Sequence, residues 1–170
     1  MAYTIRQYQT KSGKRYEVRY RKPDGTPTGK RGFKRKMDAD AWGAANVTTA
    51  KNVGAYVDPQ AGRRLVEDFW GPWLAAKKTK AKPSYVKSLE DAWRVHVMPQ
   101  WGVREVQSIT RGEVQRWVTD LAGRRSASVT IRAENLLRNL LERAKEDKCI
   151  HDNPCDNIEL PRKQRRRHVY

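Results

Sequence analysis

From Arg15 to Arg21 every second residue is ionisable: Arg15, Glu17, Arg19 and Arg21 alternate with Tyr16, Val18 and Tyr20. That period is the period of a β-strand, so the ionisable side chains share one face and the apolar ones the other. Arginine suits base reading, because its planar fork bonds O6 and N7 of guanine together, and a good pair gives roughly 1–3 kcal/mol of discrimination. Arg15 and Arg19 are therefore the centre of a candidate DNA-reading set, with Arg6 and Lys34 beside them on flanking strands. Lys14, like Lys11 and Lys22, sits in a turn, where contact with phosphate is the expected role. The competing reading is a sheet face that only meets water, and the density of cations in this short stretch argues against it.

Two further sets open helical patterns. Lys80, Lys82, Ser84, Tyr85 and Lys87 surround one start; Arg124, Arg125, Ser126, Ser128, Thr130 and Arg132 surround another. Helix N-termini carry unpaired N–H groups and partial positive charge, so phosphates settle there, and short hydroxyl side chains either cap the helix or bond phosphate oxygens. In the second pattern Ser128, Arg132, Asn135 and Asn139 fall on the face opposite a leucine stripe. Arg132 is the favoured contact on that face. Asparagine can bond adenine in a bidentate way, although on an exposed helix it more often meets water.

The charge balance agrees with a polyanionic partner. The 170 residues hold 36 Lys and Arg against 19 Asp and Glu, a net charge of +17. Residues 1–64 have fifteen basic and five acidic groups, 65–160 have sixteen and fourteen, and the last ten have five and none. Concentration into separate stretches suggests two positive contact regions, with nucleic acid as the leading partner. No run of eighteen apolar residues is present for a membrane span, and Met1-Ala2-Tyr3-Thr4 lacks the apolar start of a signal peptide. Two cysteines fit a reducing cytoplasm. Cys149, His151 and Cys155 are three metal-type ligands without a fourth, so neither metal nor cofactor is expected. Six Trp are present. Those at 42, 70, 73, 93, 101 and 117 mostly fall at helical spacing with aliphatics, which favours core packing over base stacking. No glycine-rich phosphate loop, carboxylate pair or nucleophile triad stands out.

The elements needed to position these groups can be read in order. Tyr3-Ile5 begins a strand, Lys11-Ser12-Gly13-Lys14 turns, and the alternating segment follows. Pro23-Asp24-Gly25 turns again toward a third strand near Lys30–Arg35, around Phe33. A helix from about Asp38 to Val53, stopped by Gly54, would cover the apolar face. Asp58-Pro59-Gln60-Ala61-Gly62 punctuates a linker. Helical patterns then run over Leu65–Ala76, Ser84–Val97, a segment capped by Thr110 and closed by Gly123, and Ser128 to about Lys148. Pro99 and Gly102 mark a turn, and Thr110 with Glu113 makes a capping box. The expected fold class is α+β: a small three-stranded antiparallel sheet plus one helix, followed by an all-α domain of four to five helices around a Trp-rich core.

The order of the motifs resembles the N-terminal part of a phage-type integrase, a tyrosine site-specific recombinase. The resemblance runs through Val66-Glu67-Asp68-Phe69, Lys82-Pro83-Ser84-Tyr85 and His96-Val97-Met98-Pro99-Gln100-Trp101-Gly102. It continues through Ile109-Thr110-Arg111-Gly112-Glu113-Val114, Ser126 to Arg132, and Cys149-Ile150-His151-Asp152-Asn153-Pro154 to Leu160-Pro161-Arg162. It implies a SAM-like core-binding domain at 65–160 that clasps DNA near the strand-exchange site. Residues 1–56 resemble the small arm-binding domain of these integrases, through Tyr16-Glu17-Val18-Arg19-Tyr20, Gly32-Phe33 and Tyr56-Val57-Asp58-Pro59. Residues 57–64 would be the linker, and 161–170 a basic passage toward a catalytic domain. The family's catalytic Arg, Lys, His-x-x-Arg and Tyr belong to that C-terminal domain. Tyr170 is therefore not read as the nucleophile, and this chain is expected to bind double-stranded DNA without cutting it. The resemblance also implies DNA-bending and directionality factors as partners, no membrane, and little self-association without the catalytic domain. Two other readings stand beside it: a free-standing basic regulator or nucleoid-type DNA-binding protein, and an RNA-binding protein.

Overall fold

The computed structural model describes residues 2–22, 25–49, 57–58 and 60–163. The chain divides into two compact units, Met1–Asp58 and Pro59–Tyr170.

The first unit starts from β1 (Tyr3–Thr10) and β2 (Gly13–Arg21), an antiparallel pair in continuous register from Tyr3 opposite Tyr20 to Thr10 opposite Gly13. Gly13 takes φ +109°, a backbone angle that β-carbons disfavour, and so closes the turn. β3 (Pro27–Phe33) pairs with the other edge of β2. It starts three residues before the strand expected at Lys30–Arg35, and Lys34 lies beyond its end. Its pairing is bulged: Tyr16 faces Phe33 but Val18 faces Lys30, so two residues of β2 span three of β3. Gly32, at φ +99°, supplies the irregular backbone.

Alternation along β2 buries Val18 and Tyr20 on one face. There they pack with Ala39, Val47, Tyr3, Ile5, Tyr16, Phe33 and Trp42, the last two rings 6.0 Å apart. The covering helix is α1 (Lys36–Gly43), which continues as a wider π-type turn over Ala44–Thr49. A β-carbon on Gly43 would lie 2.6 Å from the Tyr3 ring, so glycine lets α1 approach β1. The expected helix end at Val53 and stop at Gly54 lie outside the described residues.

In the second unit, residues 60–64 do not run free as a linker. Ala61–Arg63 forms a short 3-10 turn, Val106 N–H donates to the Arg64 carbonyl at 2.9 Å, and Arg64 pairs with Asp147 at 3.3 Å. Four main helices follow: α2 (Val66–Lys78), α3 (Pro83–Ala92), α5 (Arg111–Arg124) and α6 (Ala127–Glu146). Between α3 and α5 the chain continues through a π-type turn, Trp93–Val97, into the one-turn helix α4 (Met98–Trp101). Pro99 was expected to mark a turn and instead sits inside this helical run. A proline breaks a regular α ladder, and the wide turn before it absorbs the mismatch. The Thr110–Glu113 capping box is present: Glu113 N–H donates to Thr110 Oγ1 at 3.3 Å, and Thr110 N–H to Glu113 Oε2 at 3.0 Å. α5 passes through Gly123 and ends at Arg124.

The core of this unit collects the indoles. Trp93, Trp101 and Trp117 are buried, Trp70 stacks on Trp93 at 4.7 Å, and Trp101 meets Trp117 edge-on at 5.7 Å. α6 contributes Ala133, Leu136, Leu137, Leu140, Leu141 and Ala144, all at most 1 % exposed. Cys149 and Cys155 are free thiols buried in the same core, while His151 is exposed and pairs with Asp152.

A carboxylate enters that core. Glu134 is 0 % exposed, and burial raises its carboxyl above the ordinary range despite Arg138 alongside. Arg138 bonds Glu134 Oε1 at 2.8 Å and the Cys155 carbonyl at 2.6 Å, tying residues 153–156 onto α6. Buried Asn153 completes the tie by donating to the Arg138 carbonyl at 3.0 Å and Glu142 Oε2 at 2.9 Å. Arg138→Met is expected to cost about 3 kcal/mol in urea unfolding, because it strands a buried acid. Adding Glu134→Gln to Arg138→Met should recover most of that loss.

Candidate nucleic-acid interface

The register of β1 and β2 decides which cations meet. Residues directly opposite in an antiparallel pair point to the same side. Tyr8 faces Arg15, Arg6 faces Glu17, and Thr4 faces Arg19, so Arg6, Arg15 and Arg19 share the sheet side opposite Val18 and Tyr20. Two expected members are elsewhere. Lys14 is not in the turn but in β2, opposite Gln9, which places it on the side away from Arg15. Lys34 is exposed past the end of β3.

The sequence reading missed Arg31. Its Nε lies 3.3 Å from Glu17 Oε1, and Arg19 Nε lies 3.5 Å from the same oxygen. Its guanidinium sits over the Tyr8 ring, 5.8 Å from the centroid. Tyr8 Oη in turn accepts from Gly32 N–H at 3.0 Å, fixing the bulge that turns Arg31 toward Glu17. The signal was Gly29-Lys30-Arg31-Gly32, a basic pair between glycines, hidden by the late placement of the strand.

In the helical unit one groove is lined by Trp73, Lys77, Tyr85, Ser128, Arg132, Asn135, Asn139 and Lys163 together with the aliphatic Leu89, Ile131 and Leu136. It joins the start of α3 to the outward face of α6. Tyr85, Ser128 and Arg132 therefore come together as the sequence pattern suggested, and Tyr85 is half exposed. Asn139 donates to the Asn135 carbonyl at 2.7 Å, so part of its amide serves the helix.

The remaining candidates do not line this groove. Lys80, Lys82, Ser84 and Lys87 are exposed near the start of α3. Lys82 occupies the N-cap there without a side-chain cap bond, Pro83 follows, and Ser84 lies inside the helix. Ser126 is the N-cap of α6 and accepts from Val129 N–H at 3.4 Å. Thr130 must be removed from the contact set. It is 0 % exposed, and its hydroxyl donates to the Ser126 carbonyl at 3.1 Å, so it turns into the helix.

Arg124 and Arg125 are exposed at the α5–α6 turn, and both act on His96. Burial foremost, then the positive charges of Arg125 and Arg124, hold the His96 imidazole below its ordinary range.

Residues 65–122, spanning α2 to nearly the end of α5, match the model of the family described as phage integrase, N-terminal SAM-like domain. That segment, about a third of the chain, is similar to the SAM-like domain of integrases. Among whole proteins, the chain is similar to the integrase of Mycobacterium phage D29, with 27% identity over 134 residues. That match covers 75% of this chain and 35% of the relative, so the chain spans about a third of that integrase's length. In fold it is similar to the integrase-like domain from Bacillus cereus, with TM-score 0.54, 18% identity, and 64% of this chain against 93% of that one. It is also similar in fold to lambda integrase, solved as a tetramer bound to a Holliday junction. There the TM-score is 0.54, identity is 13%, and coverage is 93% of this chain and 46% of that one. Among the described residues, no helix is long and apolar enough to cross a membrane.

His96 reports on the α5–α6 turn. Arg125→Ala is expected to move its titration up toward the ordinary histidine range, as followed by NMR of the imidazole signals. An unmoved titration would show that Arg125 does not face it.

Proposed function

We propose that the chain binds double-stranded DNA at two places, the sheet unit on an arm-type site and the helical unit on one half of a core-type site. What carries the reading is the separate gathering of cations in each unit. Arg6, Arg15 and Arg19 share one sheet face, and Lys77, Arg132 and Lys163 share one groove with Tyr85 and Ser128. The likeness to integrases supports DNA as the polyanion.

The sheet is narrow enough for a major groove, which admits two-stranded ribbons as well as helices. The α6 face combines a guanidinium, a hydroxyl and amides, which suits mixed contacts to bases and phosphate. Lys80, Lys82, Lys87, Arg124 and Arg125 then supply phosphate contacts around it, with Ser84 and Ser126 at the two helix starts. Each neutralised phosphate steepens the salt dependence by about 0.9 in log K against log salt. Two modest binders on one chain raise the effective affinity when the DNA presents both sites within reach.

Within this proposal the 170 residues bind and do not cut. The nucleophile of a tyrosine recombinase and the groups that polarise its phosphate belong to a catalytic portion, and Tyr170 lies outside the described residues. Supercoiled DNA carrying the attachment region should emerge from incubation with the chain intact and free of covalent protein.

The two-site assignment is tested with duplexes mapped by footprinting on that region. Arg19→Ala should weaken arm-type duplex about tenfold and leave core-type duplex unchanged, the loss of one good bidentate contact. Arg132→Ala should do the reverse. Equal weakening of every duplex by both variants, read by fluorescence anisotropy, would overturn the assignment.

A further inference from the structure

Glu17 is an acid in the middle of the cationic sheet face. Its side chain is only 7% exposed, yet its neighbours there are cations: Arg6 directly opposite in β1, Arg19 two residues along, and Arg31 across the bulge. Both ion-pair partners are themselves open to solvent, with Arg19 53% and Arg31 69% exposed. Surface ion pairs of that exposure add little stability, so stability alone does not account for an acid placed here.

The backbone is shaped around this carboxylate. A β-carbon on Gly29 would come within 3.0 Å of Glu17 Oε1 and 3.1 Å of the Val18 carbonyl oxygen, so glycine keeps the space that the acid occupies. Tyr8 holds the bulge from the other side through Gly32. One carboxylate oxygen thus pairs with two arginines from different strands, and both side chains stay largely exposed.

We infer that Glu17 is a positioning residue for base recognition, fixing Arg19 and Arg31 as a rigid pair aimed at base edges and repelling phosphate from between them. The inference rests on the reading that this sheet face meets duplex DNA. A guanidinium already anchored loses less freedom on bonding a base, so the anchor sharpens sequence preference. A negative charge between the arginines disfavours the DNA backbone, which carries no sequence information.

The test is selection of the full chain and its variants against a random-sequence duplex library. Positions of the enriched motif that flatten in Arg19→Ala or Arg31→Ala are those read by the sheet. Glu17→Gln should flatten the same positions, with preference there falling about tenfold. Its affinity for unselected random duplex should equal or exceed that of the unaltered chain. Gly29→Ala keeps the acid but displaces it, and should flatten those positions too; it decides the matter if Glu17→Gln does not fold, as judged by circular dichroism. Sharp preference retained in the variants overturns the inference and leaves the sheet's DNA role standing. Parallel loss of selected and random affinity also overturns it, since that marks a merely structural acid. An enriched motif untouched by either arginine variant overturns the sheet's DNA role itself, and the inference with it.

Discussion

α6 cannot bury Leu136, Leu137, Leu140 and Leu141 without turning Ser128, Arg132 and Asn135 the other way, because 3.6 residues per turn tie the two faces together. That coupling orders the helical unit. The leucine stripe draws α2, α3 and α5 onto one side of the helix, and their packing brings Tyr85 from α3 beside Ser128 and Arg132. The groove is thus a by-product of core formation. Among the described residues its polar side chains make few bonds to one another, and aliphatic and indole packing lies behind it.

The sheet unit solves the same problem by different means. A strand of period two separates Val18 and Tyr20 from Arg15 and Arg19, and α1 covers only the first set. Among the described residues, the open side has no hydrophobic cluster to stiffen it. Order there comes from the bulge at Gly32, the Tyr8 hydroxyl and the Glu17 carboxylate, all short-range devices. The two units therefore differ in how their cations are held, through deep packing in one and through surface polar contacts in the other.

What could be read from the sequence followed the strength of local rules. The strand alternation around Val18, the capping box of Thr110 and Glu113, and the leucine stripe of α6 are set by residues within one or two turns of each other. They appear in the structure where the pattern put them. β3 was harder, because Pro27, Gly29 and Gly32 lower strand propensity and the bulge breaks the period. Arg31 was lost with it. Thr130 fits an exposed helix start as well as a buried one, and only the packing of α6 shows that it faces inward. Residues 60–64 have the composition of a linker, yet Gly62 is buried because its missing side chain leaves room for Gln107 and the Cys149 carbonyl. Long-range contacts of that sort leave no local trace.

The two thiols have a practical consequence. Cys149 and Cys155 lie at 1% and 0% exposure, and burial pushes the Cys155 thiol well above its ordinary range. Thiolate is the form that reacts with alkylating reagents and oxidants, so Cys155 in the folded chain is slow toward both. A cysteine installed at exposed Met37 or Val103 would take a fluorophore or spin label ahead of the native pair. Each unit can then carry its own reporter without first stripping the core of its native cysteines.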